Sequence, residues 1–185
     1  TGNSSNRGIS VTGFTGGVIQ NNVIYVNGTD SNVGILLASA SNNNVITNNT
    51  VYSNGSTSGA NHALGVTGGA NLFIANNTLV PSGGTGISIT SGGAGNDTVR
   101  NNTIASPSLT STTLGIASST TTTNRFIDNV LVINTTGSAV TALSTGTTSQ
   151  IENNSVKHYR GTGMTILGAS NVTGNIVNIT TGVNS

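Results

Sequence analysis

The chain carries four carboxylic acids, Asp30, Asp97, Asp128 and Glu152, and one dense run of ionisable and aromatic side chains, Lys157-His158-Tyr159-Arg160. Carboxyl groups matter because hydrolysis of a glycosidic bond needs two of them, one on each side of the bond being cut. Only Asp128 and Glu152 fall close together in the register of the repeat, so with His158 and Arg160 they form the weak candidates for a catalytic set. Lys157, Tyr159 and Arg160 form a candidate binding patch, in which the Tyr is a platform for a sugar ring and the two cations are hydrogen-bond donors. A structural reading competes with both. It makes Asp128 a corner residue, Glu152 a ladder edge, His158 a satisfied interior side chain and the rest an ordinary wet face. His62 is several repeats away from His158, which argues against a two-His metal site, and no metal or cofactor is expected. There is no Gly-x-Ser-x-Gly elbow, and Gly83-Gly84-Thr85-Gly86 lacks the Lys and following helix of a phosphate cradle.

The elements that must position these residues are set by a repeat. Asn22, Asn49, Asn77, Asn102, Asn129, Asn154 and Asn175 recur every 21 to 28 positions, each with an apolar residue three before it and two after, as in Val99-x-x-Asn102-x-Ile104. A period of that length marks a solenoid. A second block precedes each Asn block and pairs a small with an aliphatic residue: Gly8-Ile9, Gly34-Ile35, Gly65-Val66, Gly86-Ile87, Gly115-Ile116, Ala139-Val140 and Gly163-Met164. Further apolar residues follow at spacing two (Val11, Leu37, Ile89, Ile166), which is the spacing of a strand and not of a helix. Clusters such as Ser39 to Asn43, Gly92 to Asn96 and Ser118 to Thr123 read as turns. Each repeat is therefore strand, loop, strand, Asn corner, strand.

A short strand with one apolar edge cannot bury itself, so repeats must stack and place like residues over like residues at ~4.8 Å. About seven rungs are expected, with Ile9, Ile35, Val66, Ile87, Ile116, Val140 and Met164 in one buried column. In such a stack each Asn amide can donate to one neighbour and accept from the other, forming a continuous ladder. The residue before each ladder Asn is Asn, Asp or Gly, types that tolerate the left-handed backbone of a sharp corner.

The units Gly86 to Ile89 and Val99 to Ile104 resemble the parallel β-helix repeats of the right-handed, pectate-lyase-like superfamily, including its NosD-like and surface-protein branches. The resemblance runs from about Gly8 to Ile179. It implies an all-β, right-handed, single-stranded parallel β-helix, with residues 1–185 forming a single domain. It implies little about activity, because the superfamily includes lyases, hydrolases, epimerases, phage tailspikes, adhesins and structural repeats. Its lyases commonly hold calcium on clustered acids and use Lys or Arg as base, whereas the acids of this chain fall in different columns.

Composition narrows the setting. Of 185 residues, 34% are hydrophobic, 5% charged and 3% aromatic, and there is no Cys to stabilise the fold by a disulfide. A formal net charge of +1 argues against a nucleic-acid partner, which needs clustered Lys and Arg. No apolar run is long enough to span a membrane as a helix. The sequence points to the outside of a cell, where Asn27, Asn54, Asn96, Asn134 and Asn171 in Asn-x-Ser/Thr sequons are candidate glycosylation sites. The expected role is non-enzymatic: a structural or adhesin-like repeat domain of a cell-surface, sheath or filament protein that extends, assembles or binds glycans. The alternative is a polysaccharide-active enzyme of the lyase or epimerase type. Neither end shows a capping helix, so the chain is expected to be a segment of a larger repeat protein or a subunit that self-associates through its solenoid ends.

Overall fold

The computed structural model describes residues 6–28, 31–54, 61–90, 95–106, 115–120, 122–134, 141–146, 148–158, 161–168 and 170–180. All regular structure among them is β-strand, arranged as three parallel sheets of seven strands each. The first sheet runs from Asn6–Thr12 to Thr162–Ile166, the second from Val18–Gln20 to Asn171–Thr173, and the third from Val23–Asn27 to Ile176–Ile179. Every strand pairs with the equivalent strand of each neighbouring rung, so the chain coils through the three sheets once per repeat. Seven rungs result, and five of them lie between two neighbours.

The strands exist because each carries an apolar residue that only stacking can bury. In the second sheet Ile19, Ile46, Ile74, Val99, Phe126, Ile151 and Val172 are aligned. In the third sheet the corresponding column is Ile24, Val51, Leu79, Ile104, Leu131, Val156 and Val177. Both fill the interior between the sheets.

The first sheet follows the expected pattern with one correction. Its column is Ile9, Ile35, Leu64, Ile87, Ile116, Leu143 and Met164. Val66 instead aligns with Leu37 and Ile89, one pleat further on. The physical reason is the small residue that precedes the column, which must leave room for the third sheet: a Cβ on Gly86 would sit 2.5 Å from Ile104 Cγ2 and 2.6 Å from the Gly115 carbonyl oxygen. In the third rung that tight place is taken by the fully buried Ala63, so Ala63-Leu64, and not Gly65-Val66, is the aligned pair. In the sixth rung Ala142-Leu143 does the same, and Val140 lies outside the described residues.

Between the second and third sheets the chain turns at Asn21, Asn48, Asn76, Asn101, Asp128, Asn153 and Gly174, all in the left-handed region with φ between 53° and 65°. The following Asn forms the ladder. Side-chain Nδ2 donates to the next rung's Oδ1 from Asn22 to Asn49 (2.9 Å), Asn49 to Asn77 (3.0 Å), Asn77 to Asn102 (3.0 Å), Asn102 to Asn129 (3.1 Å), Asn129 to Asn154 (2.9 Å) and Asn154 to Asn175 (2.9 Å). The backbone N–H of each donor residue reaches the same oxygen, for example Asn102 to Asn129 at 3.1 Å. Every bond runs in one direction, from the N-terminal rung to the C-terminal one.

Candidate functional site

Stacking decides which face each polar side chain occupies. Counting back from the ladder Asn, the residue three before it points inward, so those two and four before it point outward on the second sheet. Arg100 and Glu152 are two before their Asn, and Arg125 and Gln150 are four before. With the corner residue Asp128 they gather on the outer face of the second sheet, in the fourth to sixth rungs. Arg125 Nε donates to Gln150 Oε1 at 2.7 Å, Gln150 Nε2 donates to Glu152 Oε1 at 2.6 Å, and an Arg100 guanidinium nitrogen lies 4.0 Å from Asp128 Oδ2. The backbones of the two acids touch as well, the Asp128 N–H donating to the Glu152 carbonyl at 3.0 Å.

Asp128 and Glu152 are thus brought to neighbouring rungs, while their carboxylates engage different partners. His158 is not assembled with them. His158 is fully buried in the third sheet, aligned between Ile133 and Ile179 in the interior column. Lys157 is exposed on the outer face of the same sheet, and Tyr159 and Arg160 lie outside the described residues, as does Asp30. The chemistry available to the outer cluster is hydrogen bonding: two guanidinium groups to donate, two carboxylates and an amide to accept, on an open sheet. Arg100, Arg125 and Gln150 were not singled out from the sequence, although the same counting from the ladder Asn places them there.

Asp97 occupies a different place. Five residues before its ladder Asn, it belongs to a second, broken line of polar residues with Asn44 and Asn124. Its Oδ1 accepts from the Leu72 N–H at 2.9 Å, and its own N–H donates to Asn124 Oδ1 at 3.0 Å. Its Oδ2 is buried with no partner. Burial raises its pKa to about 6 against the opposing pull of the Leu72 N–H.

Outside the coil, His62 begins the third strand of the first sheet and lines a cleft of about 250 Å³ with Arg7, Val33 and Leu36. Burial lowers its pKa, the backbone of Asn61 acting in the opposite direction, and its Nδ1 is buried without a partner. No described residue joins it to His158.

The sequon residues Asn27, Asn54, Asn96 and Asn171 are exposed. Asn134 differs, because its side-chain oxygen is buried and unpaired.

A family model described as "Right handed beta helix region" matches residues 1–104 and 57–184, which together span nearly the whole chain. No curated protein and no solved structure matches it.

Proposed function

The chain belongs to the right-handed β-helix family, and on that basis we propose that it is a non-enzymatic structural repeat domain of an extracellular, cell-surface protein of the sheath, filament or adhesin kind. The observation that supports this reading is where the chemistry-bearing side chains stand. Asp128 and Glu152 are engaged by Arg100 and Gln150 on an open sheet face, while His158 and Asp97 are sealed inside. A rigid coil held by a hydrogen-bonded ladder is suited to extension and display. Its exposed polar surfaces, the outer cluster of the second sheet and Lys157 on the third, supply the donors and acceptors that glycan hydroxyls would meet. Glycosylation at the exposed Asn27, Asn54, Asn96 and Asn171 fits the same setting.

One observation favours a second reading, a polysaccharide-active enzyme of the lyase or epimerase type: the backbone contact that places Asp128 and Glu152 on adjacent rungs beside two arginines. Incubation with uronic-acid polymers, with and without calcium, separates the two. The structural reading expects no product in either condition. Calcium-dependent cleavage that disappears in Asp128→Ala would replace it with the enzymatic one.

A further inference from the structure

On the outer face of the first sheet, one glycine has no reason to be a glycine. Gly65 stands in an outward column with Ser10, Leu36 and Ser88, between the inward residues Leu64 and Val66. Elsewhere in this sheet contact forces the choice: a Cβ on Gly8, Gly34, Gly86 or Gly115 would come within 2.6–2.7 Å of a carbonyl oxygen. A Cβ on Gly65 would meet nothing closer than Val33 Cγ1 at 3.3 Å, Leu36 Cδ1 at 3.5 Å and His62 Cδ2 at 3.6 Å. Its φ is not in the left-handed region either. Val33, Leu36 and His62 are also walls of the cleft of about 250 Å³, so the missing side chain of Gly65 keeps that cleft open.

The walls are of two kinds. Val33, Leu36 and Ala38 form an apolar side, and Arg7, His62 and Thr67 supply polar groups. Arg7 and His62 lie in the column of Val33, one rung on either side of it, which sets their Cα atoms about 10 Å apart. Arg7 is exposed and has no ion pair among the described residues. His62 Nδ1 is buried without a partner. Burial lowers the pKa of this imidazole, so at pH 7 it is neutral and keeps one N–H, and leaving a buried nitrogen unpaired costs free energy. A carboxylate placed between the two would accept from the guanidinium with one oxygen and from Nδ1–H with the other. The floor lies in the second and third rungs, each with a neighbour on both sides, so the cleft belongs to the flank of the coil and not to an end.

We propose that this cleft binds a small aliphatic carboxylate, its carboxylate bridging Arg7 and His62 Nδ1 and its hydrocarbon body lying over Gly65 against Val33, Leu36 and Ala38. The volume sets the size, since sites for drug-sized ligands run to ~300–1,000 Å³. Charge sets the sign: Arg7 is a cation, and none of the described Asp or Glu lines the cleft. A sugar chain fits less well, because its hydroxyls would lie against the apolar side without partners. The inference goes beyond the structural reading and does not depend on it.

Titration of the ¹⁵N-labelled full chain with acetate, isovalerate and hexanoate, followed on the imidazole ¹H–¹⁵N signals, tests it. The chain has two histidines, and His158, sealed in the third sheet, is the internal control. Isovalerate and hexanoate are expected to shift the His62 signals saturably and to raise the His62 pKa, because a nearby anion favours the charged imidazole. The His158 signals are expected to stay still. Acetate has almost no body to bury and is expected to bind about tenfold more weakly or worse. Arg7→Gln, at an exposed position, is expected to weaken isovalerate by about tenfold. Gly65→Val puts a side chain suited to a strand into the cleft and is expected to abolish binding, with circular dichroism checking that the β-structure is kept. The inference is overturned if neither longer acid gives a saturable shift, if acetate binds as tightly as they do, or if Arg7→Gln or folded Gly65→Val binds like the parent. Should Gly65→Val misfold, the acid series and Arg7→Gln decide by themselves. Binding of a polyuronate in place of the short acids would also overturn it and give the cleft to a glycan.

Discussion

A middle rung and the last rung are built from the same residue types in the same columns, yet they differ completely in burial. Val99 and Ile104 are 0% exposed, whereas Val172 and Val177, three rungs later in the same two columns, are 44% exposed. Nothing in the rungs' own sequences explains this. In a solenoid a side chain is buried by the rung above and the rung below, so burial is a property of position in the stack. The first rung is intermediate: Ile24 and Val26 are 7% and 5% exposed, while Ile9 and Ile19 remain half-buried. Among the described residues, the middle rungs are therefore sealed and the last rung is not.

The largest expected effect separates these regions within a single column. Phe126 is fully buried where its neighbours in the column carry Val99 and Ile151. Phe126→Ala leaves a cavity that the flanking rungs cannot fill and should cost about 3–5 kcal/mol. Val172→Ala removes less apolar volume from a position that is already half in water and should cost less than about 1 kcal/mol. Denaturant unfolding of both variants measures the difference, and similar losses would break the comparison.

Asp97 sharpens it by showing that the interior also stores an unfavourable group. Its pKa, raised by burial from 3.8 to about 6, means that the folded state holds the proton more tightly than the unfolded chain does. Folding is therefore favoured most below about 4, and that contribution, ~3 kcal/mol, is lost as pH rises through about 6. Asn in the same line makes the bond that Asp97 lacks, since Asn44 Nδ2 donates to the Phe14 carbonyl at 2.8 Å. Asp97→Asn should raise the melting temperature at pH 7 and flatten its change between pH 4 and pH 7. A variant with the same pH profile as the parent would mean that Asp97 is not the source.

The ladder gives the next contrast. Asn102 donates to the Ile74 and Arg100 carbonyls and to Asn129, and accepts from the N–H and Nδ2 of Asn77. Asn102→Ala strands these groups in the interior and should cost about 1–3 kcal/mol. Asn22→Ala and Asn175→Ala remove bonds on one side only and should cost less. Equal thermal shifts in the three variants would show that the column behaves as separate bonds and not as a ladder.

What was legible in the sequence was whatever recurs in every rung. The Asn corner, the apolar residues around it and the left-handed residue before it repeat seven times, and the structure places each as the spacing demanded. His158 was placed on the interior face by the same counting. The first block was less legible, because Gly65-Val66 imitates the small-aliphatic pair two residues after the true one, and only the close approach of the third sheet picks out Ala63. The outer cluster was least legible. Arg125 and Gln150 share a column with Val18, Val45, Phe73, Thr98 and Asn171, and Arg100 stands in one with Gln20, Thr47, Ala75, Ile127, Glu152 and Thr173, so no periodicity marks them. Their partnership depends on side chains meeting across rungs. Asp97 was visible as an acid, but its buried, half-satisfied state follows from Leu72 interrupting the second polar line one rung before it.

The smallest effect concerns the outside of the first rung, where the interior contributes least. Tyr25 and Tyr52 stack on the outer face of the third sheet with ring centroids 4.7 Å apart and planes within 3° of parallel. Tyr25 is 67% exposed, so its contribution comes mainly from contact with the second rung and little from burial. A double-mutant cycle with Tyr25→Ala and Tyr52→Ala should give a coupling of about 0.5–1 kcal/mol. The loss should be local: hydrogen exchange should quicken in Val23–Asn27 and stay unchanged in Thr103–Ser106, because the rungs between them screen the middle of the stack from a fraying end. Exchange that quickens equally in both strands would mean that the end and the middle open as one unit, and the difference in burial between them would then carry no difference in stability.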